Sequence, residues 1–303
     1  MPGAARNPLV QSARGELLLF LDDDVVPPPE LLANLARVAR QYPFVSVFGG
    51  PNETPPESPQ FEIVQGAVMS SLIGAGPVSR RYGARTPGFA DERWFTLCNL
   101  AIRRVSMLPF LTTLVCAEEN EVLAELRAQN EVMRYEPCLS VLHNRRRTLR
   151  SFARQMFKYG RGRGQLLAHA PETFRLAFVV PSMLVAYLGA LAVLWACGLA
   201  TGLTLAPVAL YAVLVVANAA KVSWTLRNVP ALPTAGLLTV VVHLSYGAGL
   251  ICGWLRPGHE PGRSPLGDPH RGGPAAERDP VGEPASGHAA IIGSRAAASP
   301  DRH

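Results

Sequence analysis

Two long stretches without a formal charge constrain this chain more than any other feature. One lies between Arg175 and Lys221, and the other between Arg227 and Arg256 with His243 as its only ionisable group. A bilayer crossing needs ~20 mostly apolar residues, so each stretch can cross at least once. Gly198, Gly202 and Pro207 break the first stretch, which as one straight helix would be far longer than the bilayer is thick. The pattern predicts three spans, at roughly 176–198, 203–220 and 234–255. The net charge of +6 is concentrated just before them. Arg145 to Arg163 contains eight basic residues and no acidic one, as in a cytoplasmic segment facing anionic lipid. A basic cluster can also mark nucleic-acid binding, but its place beside a span argues for membrane lipids and against nucleic acid. Lys221 and Arg227 keep the loop after the second span cytoplasmic; parity then puts the tail outside, whereas the arginines of the tail itself favour the cytoplasmic side, so the pattern leaves both open.

The five cysteines show no CxxC or Cys/His metal spacing, as expected of a reducing, cytoplasmic compartment. The first sixteen residues are polar and contain no signal-peptide core.

Ahead of the spans the pattern is α/β. Glu16 to Leu21 is a short apolar run ending at Asp22-Asp23-Asp24, which suits a buried parallel strand with its C-terminal end at a crevice. Glu30 to Arg40 reads as an amphipathic helix with Leu31, Leu32, Leu35, Val38 and Ala39 on one face. Phe44 to Phe48 reads as the next strand. Residues 52–93 are rich in Gly, Pro and Ser and read as a functional loop or lid, with one helix from Phe61 to Ile73. Further elements are a strand from Phe95 to Arg104, a helix from Glu118 to Gln129 and a strand from Val132 to Tyr135. Thr148 to Leu167 reads as an amphipathic helix along the membrane surface.

Three clusters could carry chemistry. Three adjacent carboxylates repel one another unless a cation or hydrogen-bond donors compensate. Asp22, Asp23 and Asp24 therefore suit a hard divalent ion, Mg2+ or Mn2+, shared with substrate phosphates. The bland alternative is an acidic turn capping the next helix. Glu118 and Glu119 open a helix, where the dipole favours acids anyway. Such a pair can also supply the base that takes a proton from an acceptor hydroxyl. His143 is either a third metal ligand or an ordinary polar contact. Gly160 and Gly162, interleaved with Arg161 and Arg163, are poor for a surface helix and suit a loop presenting guanidinium groups to phosphate.

Together the motifs resemble the family 2 glycosyltransferases. Ala5-Arg6-Asn7, Ala13-Arg14-Gly15-Glu16 and Phe20 to Asp24 look like that family's approach to its DxD motif. Glu118-Glu119 falls at its ED motif, and Arg154-Gln155 with Tyr159-Gly160 is similar to its Q-x-x-R-W region. Gly49 to Asn52 and the trailing spans look most like the succinoglycan or exopolysaccharide type. The resemblance implies a GT-A fold and a glycosyltransferase of the hexosyltransferase class, inverting, fed by a UDP- or GDP-sugar. The acceptor would be a lipid-linked or growing saccharide at the cytoplasmic face of the inner membrane, in polysaccharide or cell-envelope synthesis. A polyprenyl-phosphate sugar synthase and an inactive membrane scaffold are the alternatives.

By the same resemblance, Asp24 would coordinate the metal, with Asp22 and Asp23 at the nucleotide and Asp22 also within reach of the metal. Glu119, where Asp is usual, would be the base beside Glu118. Gln155, Lys158 and Arg161 would meet the diphosphate or the acceptor, although Lys158-Tyr159 replaces the usual Arg-Trp. The expected layout is a partial GT-A domain over 1–145, a basic juxtamembrane segment over 146–173, about three spans over 174–256 and a disordered tail over 257–303.

In that family two βα units precede the Ala-Arg-Asn segment, and each needs ~30 residues. Only six residues stand before Asn7. The expectation is therefore a chain lacking its N-terminal half, with the strand before Asp22 left as an open sheet edge. Such a chain should be inactive or unstable. Sugar transfer by the purified 303-residue protein, lost on Asp24→Asn, would contradict this.

Overall fold

The computed structural model describes residues 2–83, 86–111, 118–256 and 290–294. In chain order the first elements are α1 (Pro2–Ser12), β1 (Leu17–Asp22), β2 (Val25–Val26), α2 (Leu31–Gln41), β3 (Val45–Gly49) and β4 (Asn52–Glu53). Next come α3 (Gln60–Met69), α4 (Leu72–Ala75), a 3-10 turn at Gly76–Tyr82, β5 (Gly88–Phe89) and β6 (Asn99–Arg103). After these come α5 (Glu118–Ala128), β7 (Val132–Tyr135), β8 (Val141–His143) and α6 (Leu149–His169). The last are α7 (Leu176–Ala196), α8 (Gly202–Thr225), α9 (Ala231–Leu255) and β9 (Ala290–Ser294).

β1 is apolar at every position from Leu17 to Leu21 because both of its faces are covered. Leu17 and Leu19 pack with Leu31, Leu35 and Val38 of α2. Leu18 and Phe20 pack on the other side with Val10 of α1 and Val122, Leu123 and Leu126 of α5. This is a three-layer α/β domain around a six-stranded sheet of order β5-β7-β3-β6-β1-β9. Beyond the end of β1 a small second sheet, β2-β8-β4, turns the chain across the acidic residues.

Several expectations are corrected. β1 is not a strand of a uniformly parallel sheet, since it pairs antiparallel with β6 and parallel only with β9. Its edge is not open either: β9 runs along it, with Ser294 opposite Asp22. Residues 290–294 were expected in a disordered tail; the rest of that tail, and Cys116, lie outside the described residues. Leu32 is 40% exposed while Leu31 and Leu35 are buried, so the contact stripe of α2 is narrower than five residues. The helix expected over Phe61–Ile73 is two helices bent by 73°. Ser71 caps α4 there, its hydroxyl accepting from Gly74 N, and a Cβ at Gly74 would lie 2.1 Å from the Val68 carbonyl oxygen. The strand expected from Phe95 begins only at Asn99.

α7, α8 and α9, of 21, 24 and 25 residues, are long and apolar enough to cross a membrane. At 1.5 Å per residue even α7 matches a hydrocarbon core of ~30 Å. They do not hang free of the α/β domain. Val64 and Val68 of α3 and Phe152 and Met156 of α6 form one apolar cluster with Ala219, Val222, Ala235, Leu238 and Val242 of α8 and α9.

α6 is helical throughout, so the expected loop at Arg161–Arg163 is absent. Its glycines serve contact with α9 instead. A Cβ at Gly160 would lie 2.0 Å from the Tyr246 carbonyl oxygen, and one at Gly253 would lie 2.0 Å from that of Arg161. Small residues on both helices let the backbones touch, as in close membrane-helix pairs. Arg150, Arg154 and Lys158, spaced i, i+4, i+8, stay exposed on the opposite face of α6.

Gly160→Val in the detergent-solubilised chain should lower stability by about 3 kcal/mol, the upper end for overpacking, because backbone cannot yield to a methyl group. Gly189→Ala, where nothing lies within 4 Å, is the control. Equal melting temperatures for the two variants would show that α6 and α9 do not interlock.

Candidate active site

The site forms where β1 runs out. β2 pairs antiparallel with β8, Val25 opposite His143, so the short sheet carries His143 back to the acidic turn. His143 Nε2 lies 3.0 Å from Asp24 Oδ1 and Arg146 lies 3.8 Å from Asp24 Oδ2. Burial opposes charge on Asp24, but the His143 hydrogen bond and the Arg146 charge outweigh it and hold the carboxyl below its usual range. Asp22 and Asp24 are half-buried and Asp23 is exposed. One donor atom each from Asp22, Asp24 and His143 lie within 4.8 Å of one another; Asp23 is not in the group.

Behind His143 sits Arg145, a buried guanidinium. Its Nε donates to Thr54 Oγ1 at 2.9 Å, its Nη2 to the Asn52 carbonyl oxygen at 2.5 Å, and its Nη1 meets His143 Nδ1 at 3.1 Å. The Tyr82 ring lies 5.2 Å from it. Gly66 of α3 leaves room for this, since a Cβ there would meet Thr54 Oγ1 at 1.9 Å. Its neighbour Gln65 clamps the Arg146 backbone from both sides, donating to the carbonyl oxygen at 3.0 Å and accepting from the N–H at 3.1 Å. Asn52 also donates to Cys98 Sγ at 3.2 Å, and burial with the Asp22 charge pushes that thiol up to about 12. Cys98 is thus an inert thiol, and the four described cysteines are free.

The second acidic pair opens α5. Glu118 is buried and ion-paired with Arg6 of α1. Burial and the adjacent Glu119 charge raise its carboxyl to about 7 against the pull of Arg6. Glu119 Oε1 accepts from Asn120 Nδ2 at 2.9 Å. The Asn120 oxygen accepts in turn from two buried guanidinium groups, Arg81 at 2.8 Å and Arg163 at 3.3 Å. Arg163 also lies 4.4 Å over the Phe178 ring of α7, which links the first apolar helix to the acidic pair. Arg81 and Tyr82 are consecutive, so the 3-10 turn joins the Glu119 network to Arg145 and the Asp24 end.

Of the residues expected at the acceptor side, Gln155 joins the site through Arg146. With its amide oxygen turned inward it accepts from Arg146 Nε and Nη2 at 3.2 Å each. Lys158 is exposed on the next turn of α6. The Arg161 backbone packs on Gly249 and Gly253, and its Nε is buried without a hydrogen-bond partner. The sequence analysis assigned no site role to Arg81, Tyr82, Asn52, Gln65 or Asn120. Asn52 carried a signal in the Gly49–Asn52 motif and Asn120 in its place directly after the acidic pair; the other three carried none.

Two carboxylates and one imidazole suit a divalent cation, and the oxygens suit a hard one. Residues 1–96 match the family described as Glycosyl transferase family 2. The match contains β1, α2, β3 and the Asp22–Asp24 turn but stops before Glu118, and it supports reading the α/β part as a glycosyltransferase domain. No curated protein matches the chain.

The raised Glu118 carboxyl has a signed consequence. The unfolded chain releases this proton near 4.5 and the folded one near 7, so the folded state binds more protons between those values. Stability should fall as pH rises from about 5 to about 7.5, and Glu118→Gln should flatten that fall in thermal unfolding. An unchanged slope would show that the proton is held elsewhere.

Proposed function

We propose that this protein is a membrane glycosyltransferase that moves a sugar, with inversion, from a nucleoside-diphosphate donor to a saccharide carried on lipid. The observation that carries the reading is the convergence of Asp22 and Asp24 at the end of β1, within the region matching a glycosyltransferase family. Asp22 and Asp24 would hold Mg2+ or Mn2+. Such an ion, when bound, would offset the charge of the departing diphosphate.

The chain's own groups do the rest. Glu119 would accept the proton of the acceptor hydroxyl on a carboxylate oxygen. The amide of Asn120, fixed by Arg81 and Arg163, would hold that carboxylate in place. Arg146, which lies 3.8 Å from Asp24, and Gln155, which contacts Arg146, would meet phosphate oxygens there. Apolar α7, α8 and α9 would keep a lipid-borne acceptor at the level of the domain, on the cytoplasmic face, in polysaccharide or cell-envelope synthesis.

The test is equilibrium binding of UDP- and GDP-sugars to the full chain in detergent, with and without Mn2+. Expected is Mn2+-dependent binding of at least one donor, lost on Asp24→Asn. Glu119→Gln should keep donor binding and lower transfer to the acceptor by ~10²-fold or more. Metal-independent binding, or none, would favour a scaffold over an enzyme. With radiolabelled donor, transfer to bare polyprenyl phosphate rather than to a lipid-linked saccharide would identify a polyprenyl-phosphate sugar synthase.

A further inference from the structure

One nitrogen stands among the donor atoms at the end of β1, and the partners of its ring decide what it can do. His143 meets Arg145 at Nδ1, 3.1 Å away, and Asp24 Oδ1 at Nε2, 3.0 Å away. A guanidinium carries only N–H donors, so Nδ1 must turn a lone pair toward Arg145. An imidazole with a bare Nδ1 carries its proton on Nε2. That proton points at Asp24, which leaves Nε2 no lone pair for a cation. A metal-bound histidine needs the reverse, with its second nitrogen donating to a carboxylate, a carbonyl or water. Here that position is held by a group that cannot accept.

Arg145 has no freedom to turn away. Thr54 and the Asn52 carbonyl oxygen hold its other nitrogens, Tyr82 lies against it, and the side chain is buried.

We infer that His143 is a positioning residue that fixes Asp24 through an Nε2–H hydrogen bond, and that it does not ligate the metal. The inference rests on reading Asp22 and Asp24 as a metal site. It makes the protein's share of the coordination all oxygen, with a divalent ion held by two carboxylates and completed by diphosphate oxygens and water. Such a set selects Mg2+ or Mn2+ and gives Zn2+ none of the nitrogen it prefers. Each carboxylate oxygen has two lone pairs, so Asp24 Oδ1 can accept from His143 and still face the ion. Arg145 thus acts on the site by setting a tautomer.

The experiment is pulsed electron paramagnetic resonance of Mn2+ bound to the 303-residue chain in detergent with UDP, comparing natural-abundance and 15N-labelled protein. Expected is bound Mn2+ that disappears in Asp24→Asn and shows no coupling to a directly coordinated protein nitrogen. His143→Gln, whose amide N–H can still reach Asp24, should bind Mn2+ within ~threefold of the parent, against the 10–100-fold typical when a ligand's support is lost. A coordinated-nitrogen coupling that vanishes in His143→Gln would overturn the inference and leave the metal site standing. Absence of any Asp24-dependent Mn2+ binding would overturn the metal reading, and the inference with it.

Discussion

The burial of Arg145 is the constraint on which the geometry of the site depends. A guanidinium removed from water is costly unless its N–H groups are matched. Arg145 finds its partners on three separate segments: Asn52 and Thr54 after β3, His143 on β8, and the Tyr82 ring at the end of the 3-10 turn. None of these segments can shift without leaving a buried charge unpaired. The acidic turn after β1 is held at the end of that chain of contacts, through His143 and Asp24.

A pair of buried guanidinium groups does the same for the other carboxylates. Arg81 and Arg163 converge on the Asn120 oxygen, and Asn120 holds Glu119. Arg163 is carried by α6, which is interlocked with α9 through glycines on both helices. On the apolar side, His243 of α9 contacts Tyr211 of α8 at 3.0 Å and the Ile73 carbonyl oxygen of α4 at 2.8 Å. The apolar helices are thus part of the frame that fixes Glu119 and the α3–α4 elbow. Arg163 of α6 reaches Glu119 through Asn120, so α6 is tied to the acidic pair by two hydrogen bonds.

Local pattern made some of this readable in advance. β1, α2, α5, β7 and the three apolar helices follow from hydrophobic runs and periodicity, and the acidic clusters stand out as charge against an apolar background. The stretch 52–93 did not yield, because its structure comes from long-range contacts. Gly66 matters only because Thr54 touches it, and Arg81 only because Asn120 is folded against it. Arg145 looked like one more member of a basic run, although it is buried while Arg146 and Arg147 are exposed. The glycine among Arg161–Arg163 suggested a loop because nothing in α6 itself reveals that α9 lies against the neighbouring Gly160 and Gly164. β9 escaped notice because a five-residue strand in a Pro- and Gly-rich tail gains its order from the edge of β1.

In the proposed function the acidic turn and the α5 pair are two halves of one transferase site. An anomalous-difference map of the protein with Mn2+ and a non-transferable UDP- or GDP-sugar analogue tests this most directly. It should place the metal at coordination distance from Asp22 and Asp24, the diphosphate beside Arg146, and the anomeric carbon facing Glu119. A metal peak away from β1, or a sugar turned from Glu119, would contradict it.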